Sequence, residues 1–335
     1  MYTAKSIPLK IIFHFAWKSL LIFFIYSFLI CLLYTVADLK FIGIPFLPIG
    51  LIGTAVAFYV GFKNNSSYER LWEARKIWGN IVNLSRTFGV FVLTYIESGN
   101  LERDNKELPG VKRVLVQRHL AYINALRIRL RIKPTWESSG HASEQIVKKQ
   151  TGINSASTYH DATNFLSEKE LDEVISKANP VTQILKLQAQ DIQSLKVNGF
   201  LEDFRHMEFG KIVTELYNQQ GACERIKTFP FPRQYGHFSK VFVWMFILAL
   251  PFGLIPEFEK LGENFVWLTI PFHMIIAWMF NTMEIVGDTS ENPFDNGIND
   301  VPMTAICRSI EIDLLEMLGE NNIPEPLVPL NNILM

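Results

Sequence analysis

Long segments without charged residues recur along the chain, and they predict helices that cross a membrane. Residues 19–37, 41–62, 241–256 and 264–283 contain no Asp, Glu, Lys or Arg. A helix needs about 20 apolar residues to span a bilayer, and three of these segments reach or approach that length. The segment 241–256 is shorter, and a buried core helix is the alternative for it, but a short acidic loop joins it to a matched partner. We therefore predict four transmembrane helices.

A fifth apolar segment, Ile77–Ile96, competes for a place in the membrane. It contains one charge, Arg86, together with polar Asn and Ser residues. A charge at the centre of a span costs about 3 kcal/mol on insertion scales. We therefore interpret this segment as a buried cytosolic helix. An even number of spans also agrees with the charges that flank them.

The polar region between the second and third spans has apolar residues at helical rather than alternating spacing, as in Val181, Ile184 and Leu185. Turn-forming residues divide it into at least four helices. The breaks fall at Pro109-Gly110, at Pro134, within residues 150–163, at Asn179-Pro180 and at Asn198-Gly199. The whole chain is predicted to be all-α, and its last dozen residues, which contain three prolines, to be extended or poorly ordered.

Charges are distributed unevenly, and they predict how the spans are oriented. Residues 1–62 carry a net charge of +3, residues 63–240 of +7, residues 241–283 of −2 and residues 284–335 of −9. Basic residues that flank spans tend to stay in the cytoplasm. We predict that 63–240 is a cytosolic helical domain between two pairs of spans, and that 284–335 is a cytosolic C-terminal segment. Both termini then lie in the cytoplasm, in a multi-pass protein of the inner membrane.

Composition and motifs exclude several classes of function. The three cysteines are too few and too far apart for a disulfide-stapled secreted domain. Acidic residues interleave with the basic ones of the central region, unlike a nucleic-acid-binding surface, so no nucleic-acid partner is predicted. No hydrolase elbow, phosphate-binding loop or metal-binding Cys or His spacing occurs. The sequence therefore predicts neither an enzyme nor a bound cofactor.

The second span contains two stripes of residues on a helix expected to begin near Pro48 and to continue past the membrane. Its small residues have the four-residue spacing that lets helices approach closely, and they are Gly53, Ala57 and Gly61. About 100° further around the axis lie Thr54, Phe58 and Phe62. In rotationally symmetric copies this second stripe would form apolar rings that can gate a pore by dewetting. The alternative is an aromatic stripe in a bundle core, which the spacing by itself favours.

The segment Glu291–Asp300 follows the fourth span and is rich in oxygen-bearing side chains. Such oxygens are typical calcium ligands, but the spacing of an EF-hand and its terminal Glu are missing. A helix-ending turn with an acidic cap explains the segment equally well. The residues by themselves therefore assign no metal site.

Three motifs resemble those of the bacterial bestrophin homologues. They are FKNNSSYERLWEARKIWG at residues 62–79, GACERIKTFP at 221–230, and ENPF followed by NDVP within 291–302. The resemblance extends in order over residues 10–320. Bestrophins are pentameric ion channels with four membrane helices per subunit, a large helical cytosolic region and one axial pore. The resemblance implies the same architecture here, as a homopentamer in a lipid bilayer.

The resemblance also implies roles for individual residues. The family's hydrophobic neck corresponds to Thr54, Phe58 and Phe62, which reverses the preference for a core stripe. Thr54 departs from the apolar residue that is usual at the top of the neck. The family's narrow cytosolic aperture corresponds to Phe204, which would otherwise be interpreted as a core aromatic.

In animal bestrophins the segment after the fourth span forms a calcium clasp. Here Asn292 and Asp300 correspond to parts of that clasp, whereas Gly297 replaces one of its two aspartates. Loss of a carboxylate weakens a site for calcium. The resemblance therefore implies a degenerate site and little control by calcium.

Membership of the family does not by itself fix the preferred ion. Animal and plant bestrophins pass chloride and other anions, whereas one bacterial member favours sodium. Phenyl edges carry positive partial charge and favour an anion, but the net charge of −9 on residues 284–335 concentrates cations. We expect a passive channel for monovalent ions, chiefly chloride and other anions. A sodium-selective channel and, further off, a transporter or a membrane scaffold are the alternatives.

Overall fold

The computed structural model describes residues 1–97, 108–133 and 165–335. These residues form α1 (Leu9–Thr35), α2 (Phe46–Tyr95), α3 (Leu108–Arg131), α4 (Glu168–Ile175), α5 (Pro180–Val197), α6 (Asp203–Thr228), α7 (Arg233–Glu259), α8 (Thr269–Thr289) and α9 (Met303–Leu318). Two short 3-10 turns cover Lys40–Ile42 and Glu263–Leu268. Extended pairing in this part of the chain is limited to isolated bridges. The all-α prediction is confirmed.

Four helical segments are long and apolar enough to cross a membrane, as predicted. They are Phe15–Thr35, Lys40–Tyr95, Arg233–Glu259 and Glu263–Thr289. The short apolar run 241–256 lies within α7, whose 27 residues correspond to about 40 Å of helix. Polar residues at both ends continue this helix, so the length of the apolar run underestimates it.

Helix α2 is longer than its apolar part. It begins at Phe46, two residues before the expected start at Pro48, and its 50 residues end at Tyr95. Pro48 therefore lies in the first turn, where proline is tolerated. All but the last residue of the segment Ile77–Ile96 belongs to α2, so the segment is not a separate helix. No Pro interrupts α2 after Pro48. Trp78 in this part is fully buried.

The chain divides into two compact units. Unit A comprises residues 1–3, 71–229 and 292–335, and unit B comprises residues 4–70 and 230–291. The predicted boundaries at residues 62, 240 and 283 remain a prediction about membrane and cytosolic parts. Unit B contains the apolar part of every candidate span.

Unit B is held together by apolar side chains of α1, α2, α7 and α8. Its core includes Phe23, Ile49, Ile247 and Ala277. A Cβ added to Gly253 of α7 would lie 2.6 Å from Ile49 Cδ1. Glycine therefore permits the close approach of α7 to α2.

Unit A shows why the predicted helix breaks occur where they do. The side chain of Asn179 caps α5 by accepting a hydrogen bond from the backbone N–H of Thr182 (3.4 Å), and Pro180 is the first helical residue. The helix ends at Val197 with Asn198 as its C-cap, and Gly199 follows with a φ of +80°, which favours glycine. These two predicted breaks are confirmed.

The remaining predicted breaks are at Pro109-Gly110, at Pro134 and within residues 150–163. Pro109 lies in the first turn of α3, which begins at Leu108. The breaks at Pro134 and within 150–163 lie outside the described residues.

The last residues of the chain are extended, as predicted, but they are attached to unit A. The backbone carbonyl of Met335 accepts a hydrogen bond from the N–H of Ala305 at the start of α9 (2.7 Å). Ile333 pairs with Tyr2 in an antiparallel bridge. Backbone hydrogen bonds therefore hold the last residues of the chain against α9. Pro324, Pro326 and Pro329 exclude a regular helix in this part of the sequence.

Candidate functional site

The aromatic residues of the second span lie on the exposed face of α2. Phe58 and Phe62 are 69% and 52% exposed in the single chain. Their rings contact each other edge to face, with centroids 4.5 Å apart, a favourable geometry for aromatic pairs. The two phenyl groups are thus outside the core of unit B, and a core stripe does not describe them.

The opposite face of the same helix is packed inside unit B. Val56 and Val60 are buried in its core, and a Cβ on Gly53 would lie 2.6 Å from Cε2 of Phe246 in α7. At Gly53 the predicted small-residue stripe therefore meets a neighbouring helix of the same chain. Ala57 is exposed, and among the described residues no atom outside this part of the α2 backbone lies within 4 Å of a Cβ built on Gly61.

Polar residues continue the exposed face at both ends of the phenyl pair. Thr54 is exposed, and its hydroxyl donates to the carbonyl of Gly50 (3.0 Å). Below Phe62, Asn65 donates from Nδ2 to Oε1 of Glu69 (2.9 Å), and both side chains are exposed. Glu69 lies seven residues after Phe62, which is about two helical turns along the same face. The face therefore changes from apolar to polar where the apolar run ends.

A buried lysine follows the phenyl pair directly. Lys63 is fully buried, and its Nζ lies 2.5 Å from both Oε1 of Glu284 and Oδ1 of Asp288 on α8. Oε2 of Glu284 accepts a further hydrogen bond from the hydroxyl of Ser239 on α7 (2.6 Å). Sequence reasoning missed this cluster. The available signal was a lysine at the end of one apolar run and two acids four residues apart after another.

Phe204 is at the start of α6 in unit A. Its side chain is 84% exposed, and Met207 one turn later is also exposed. A core aromatic is therefore the wrong interpretation of Phe204 within this unit. Its role as an aperture remains a prediction.

The acidic segment after α8 is satisfied by the protein itself. Asp300 is buried, and its Oδ2 accepts a hydrogen bond from the backbone N–H of Gly297 (2.8 Å). Burial raises the pKa of Asp300 to about 7, although the hydrogen bond from Gly297 opposes this. Asp295 forms a buried ion pair with Lys227 (2.5 Å). An acidic cap that closes a turn describes this segment well.

These donors do not fit a calcium ion. Calcium takes six to eight oxygen ligands, but Asp295 is paired with Lys227 and Asp300 accepts a hydrogen bond from the backbone N–H of Gly297. Across the described residues, no three His, Cys, Asp or Glu side chains are grouped as metal ligands would be.

Comparison with known proteins assigns the family. Residues 6–316 match the family model described as bacterial and fungal bestrophin protein. The chain belongs to the bestrophin family. The voltage-dependent anion channel-forming protein YneE of Escherichia coli is 27% identical to this bestrophin over 93% of the chain and 90% of its own length. A voltage-dependent anion channel-forming protein of Ralstonia nicotianae is 30% identical over 82% of the chain and 77% of its own length.

Solved structures agree with this family assignment. The crystal structure of a bacterial bestrophin homologue from Klebsiella pneumoniae matches with a TM-score of 0.73 at 25% identity, over 90% of this bestrophin and 98% of that chain. A crystal structure described as that of a membrane protein has the same TM-score at 26% identity, over 90% of this bestrophin and 97% of that chain. The fold is therefore that of a bestrophin subunit, with four helices that can cross a membrane.

Proposed function

We propose that this bestrophin is a passive channel for monovalent anions, and that five identical subunits surround one axial pore with a hydrophobic neck. One observation carries the proposal. Phe58 and Phe62 form an exposed aromatic pair on a helix whose opposite face is packed in the core of unit B. In a pentamer with these faces turned inward, the phenyl groups form two stacked rings.

The polarity of the face supports an axial rather than a lipid-facing position. Thr54 lies within the apolar run and shares the exposed face with the phenyl pair. Polar groups that face hydrocarbon are costly, and those in membrane helices usually face a protein interior or a water-filled cavity. A face with a hydroxyl one turn before the phenyl pair fits the wall of a pore better than a surface in lipid.

The neck controls conduction by dewetting. An apolar constriction excludes water when its rings pack closely and admits hydrated ions when they separate. The positive edges of the phenyl rings then stabilise an anion that passes between them. Phe204, exposed at the start of α6, forms the second constriction, the cytosolic aperture.

We propose anions as the permeant ions because the similar proteins of Escherichia coli and Ralstonia nicotianae are voltage-dependent anion channel-forming proteins. A sodium-selective channel is the second candidate. It is favoured by the exposed carboxylate of Glu69 beyond the neck and by the net charge of −9 on residues 284–335, since negative charge at a pore mouth concentrates cations.

The same proposal includes the membrane setting. We infer that the protein lies in the inner membrane with both termini in the cytoplasm. Basic residues precede the first span and follow the second, and such flanks tend to stay in the cytoplasm. Residues 63–240 and 284–335 are its cytosolic parts. The channel needs no cofactor, and calcium exerts little control because Asn292 and Asp300 lack the second aspartate of a clasp.

The reversal potential tests ion selectivity. Purified protein in a planar lipid bilayer is measured under a tenfold gradient of NaCl. An anion channel reverses near the chloride equilibrium potential, and a cation channel reverses with the opposite sign. Saturating, ion-coupled flux without unitary currents would identify a transporter instead, and neither current nor flux would identify a scaffold.

The neck is tested in the same bilayers. Phe58→Ala and Phe62→Ala remove the rings that exclude water, so we expect each to increase the open fraction. Ile52→Ala is the matched control, because Ile52 is an exposed residue of α2 on a different face. An open fraction that rises equally in the control would contradict the proposed neck.

A further inference from the structure

Lys63 is a buried charge that conduction through the neck does not use. It is fully buried at the end of the apolar part of α2, adjacent in sequence to Phe62. A buried ammonium group is costly unless it is paired and hydrogen-bonded. Glu284 and Asp288 meet this need, each at 2.5 Å from Nζ.

The two carboxylates are one helical turn apart on α8, so they present two acceptors to one ammonium group. Glu284 uses its second oxygen to accept a hydrogen bond from Ser239 of α7. The network therefore joins α2, α7 and α8 at one point. Such a buried network fixes a single arrangement only when its members are satisfied, and both oxygens of Glu284 have partners here.

A second contact at the same level is independent of charge. Asn64 donates from Nδ2 to the carbonyl of Met283 (3.1 Å). A Cβ built on Gly287 would lie only 2.2 Å from Oδ1 of Asn64. Glycine at this position lets α2 and α8 approach closely, which places Lys63 within reach of both acids.

Lys63 follows Phe62 directly in α2, so the ion pairs of Lys63 also affect the orientation of Phe62. Consecutive residues on a helix point about 100° apart, so fixing the direction of Lys63 also fixes the direction of Phe62. Lys63 points into unit B, where it is fully buried, while the phenyl group of Phe62 is exposed. The ion pairs thus oppose rotation of this turn of α2.

We propose that Lys63, Glu284 and Asp288 form an ion-paired clamp that positions the phenyl rings of the neck and keeps them packed. The proposal rests on the proposed channel function, because the clamp acts through Phe62 and contacts no permeant ion. These are positioning residues. When the clamp is released, the Phe62 turn samples several orientations, the rings pack less well, and the neck opens more often.

The first test measures the open fraction of assembled channels in lipid bilayers. Lys63→Met keeps an unbranched chain of similar length but removes the charge, and we expect a several-fold rise in the open fraction with an unchanged reversal potential. Lys63→Arg keeps the charge and is expected to restore behaviour close to that of the original protein. Lys40→Met is the matched control, since it removes an exposed ion pair with Glu259 elsewhere in unit B.

A second, less disruptive variant tests the clamp even if Lys63→Met does not fold. Asp288→Asn leaves the Lys63–Glu284 pair in place, and the side chain of Asp288 is already partly exposed. We expect it to assemble normally and to raise the open fraction less than Lys63→Met does. If Lys63→Met does not assemble, Asp288→Asn decides the outcome. An open fraction equal to that of the original protein in the assembled variants overturns the clamp and leaves the channel proposal intact.

A second readout does not depend on conduction. A spin label on Phe62→Cys reports the mobility of this turn by electron paramagnetic resonance, and the native cysteines are buried. We expect the label to become more mobile when Asp288→Asn is added and to be unchanged by Lys40→Met. If the original protein gives no current, the proposed function fails, and this measurement still decides whether the clamp orders the turn. Equal mobility of the label with and without Asp288→Asn overturns the proposed clamp.

Discussion

His119 is a buried titratable residue whose hydrogen bonds define its charge state. It is fully buried in α3, stacks on Phe88 and places Nε2 2.8 Å from the hydroxyl of Ser85. Ser85 donates its own proton to the carbonyl of Ile81, so Nε2 must be the donor to Ser85. Nδ1 is buried and has no hydrogen-bond partner among the residues that the structure describes. Protonation of Nδ1 would therefore bury a charge, and burial lowers the pKa of His119 to about 3.

We expect this histidine to reduce stability in acid. Its folded-state pKa lies below the unfolded value of 6.5, so between about pH 6.5 and pH 3 the unfolded chain binds a proton that the folded chain does not. The contribution of His119 to stability is therefore full above pH 6.5 and is lost as the pH falls, by about 1.4 kcal/mol per pH unit at most. Thermal unfolding of the detergent-solubilised protein between pH 8 and pH 5 measures this dependence.

The matched variant is His119→Gln, which keeps a donor for Ser85 but cannot be protonated. Its melting temperature should fall less steeply with acid than that of the original protein, while the two slopes agree above pH 7. Parallel slopes over the whole range would show that the pH dependence arises elsewhere.

At the scale of helices, the sequence predicts what depends on local patterns. The apolar runs predicted the four candidate spans, and the Asn179-Pro180 and Asn198-Gly199 pairs marked both ends of α5. The continuation of α2 past the membrane was predicted, but its extent to Tyr95 was not, because a fall in hydropathy resembles a helix end when no structure shows the backbone continuing. Periodicity reports the composition of a face, but it cannot say which neighbour covers that face.

The site shows the same division. Spacing placed Thr54, Phe58 and Phe62 on one face, but it favoured a core position over the exposed one that the chain adopts. Lys63 and Glu284 are 221 residues apart in sequence. Their pairing depends on how α2 and α8 pack together, and no local pattern encodes it.

Two glycines of α2 provide a matched test of helix packing. A Cβ on Gly53 would meet the buried ring of Phe246, which itself packs on Phe280, whereas a Cβ on Gly61 meets no side chain within 4 Å in the described part of the chain. Overpacking costs about 1–3 kcal/mol, and replacing a helical glycine by alanine gains about 0.5–1 kcal/mol. We expect Gly53→Ala to destabilise unit B and Gly61→Ala to be neutral or stabilising.

Thermal unfolding followed by circular dichroism compares the two glycine variants. The expected order of melting temperatures, from highest to lowest, is Gly61→Ala, the original protein, then Gly53→Ala. Equal melting temperatures for both variants would mean that Phe246 moves aside without loss of packing, and that Gly53 does not limit the approach of α7.

At the scale of the whole molecule, the proposed neck requires copies of the chain. In a single chain the phenyl groups of Phe58 and Phe62 are exposed, and one subunit cannot form a ring. Symmetry would give the stripe its proposed function, because a cyclic assembly repeats each residue at the same distance from its axis. The same exposed face in lipid would have no role in conduction.

A cysteine at position 58 distinguishes an axial from a lipid-facing stripe. In the proposed pentamer Phe58→Cys brings five thiols close to one axis, and thiolates bind soft metal ions strongly, so micromolar cadmium should block the current and a chelator should restore it. Ile52→Cys is the control, because Ile52 is also exposed but lies six residues earlier and points about 120° away. The native cysteines are buried and should not respond. Block of Ile52→Cys with no effect on Phe58→Cys would place the other face of α2 at the axis, and Phe58 and Phe62 would then contact lipid.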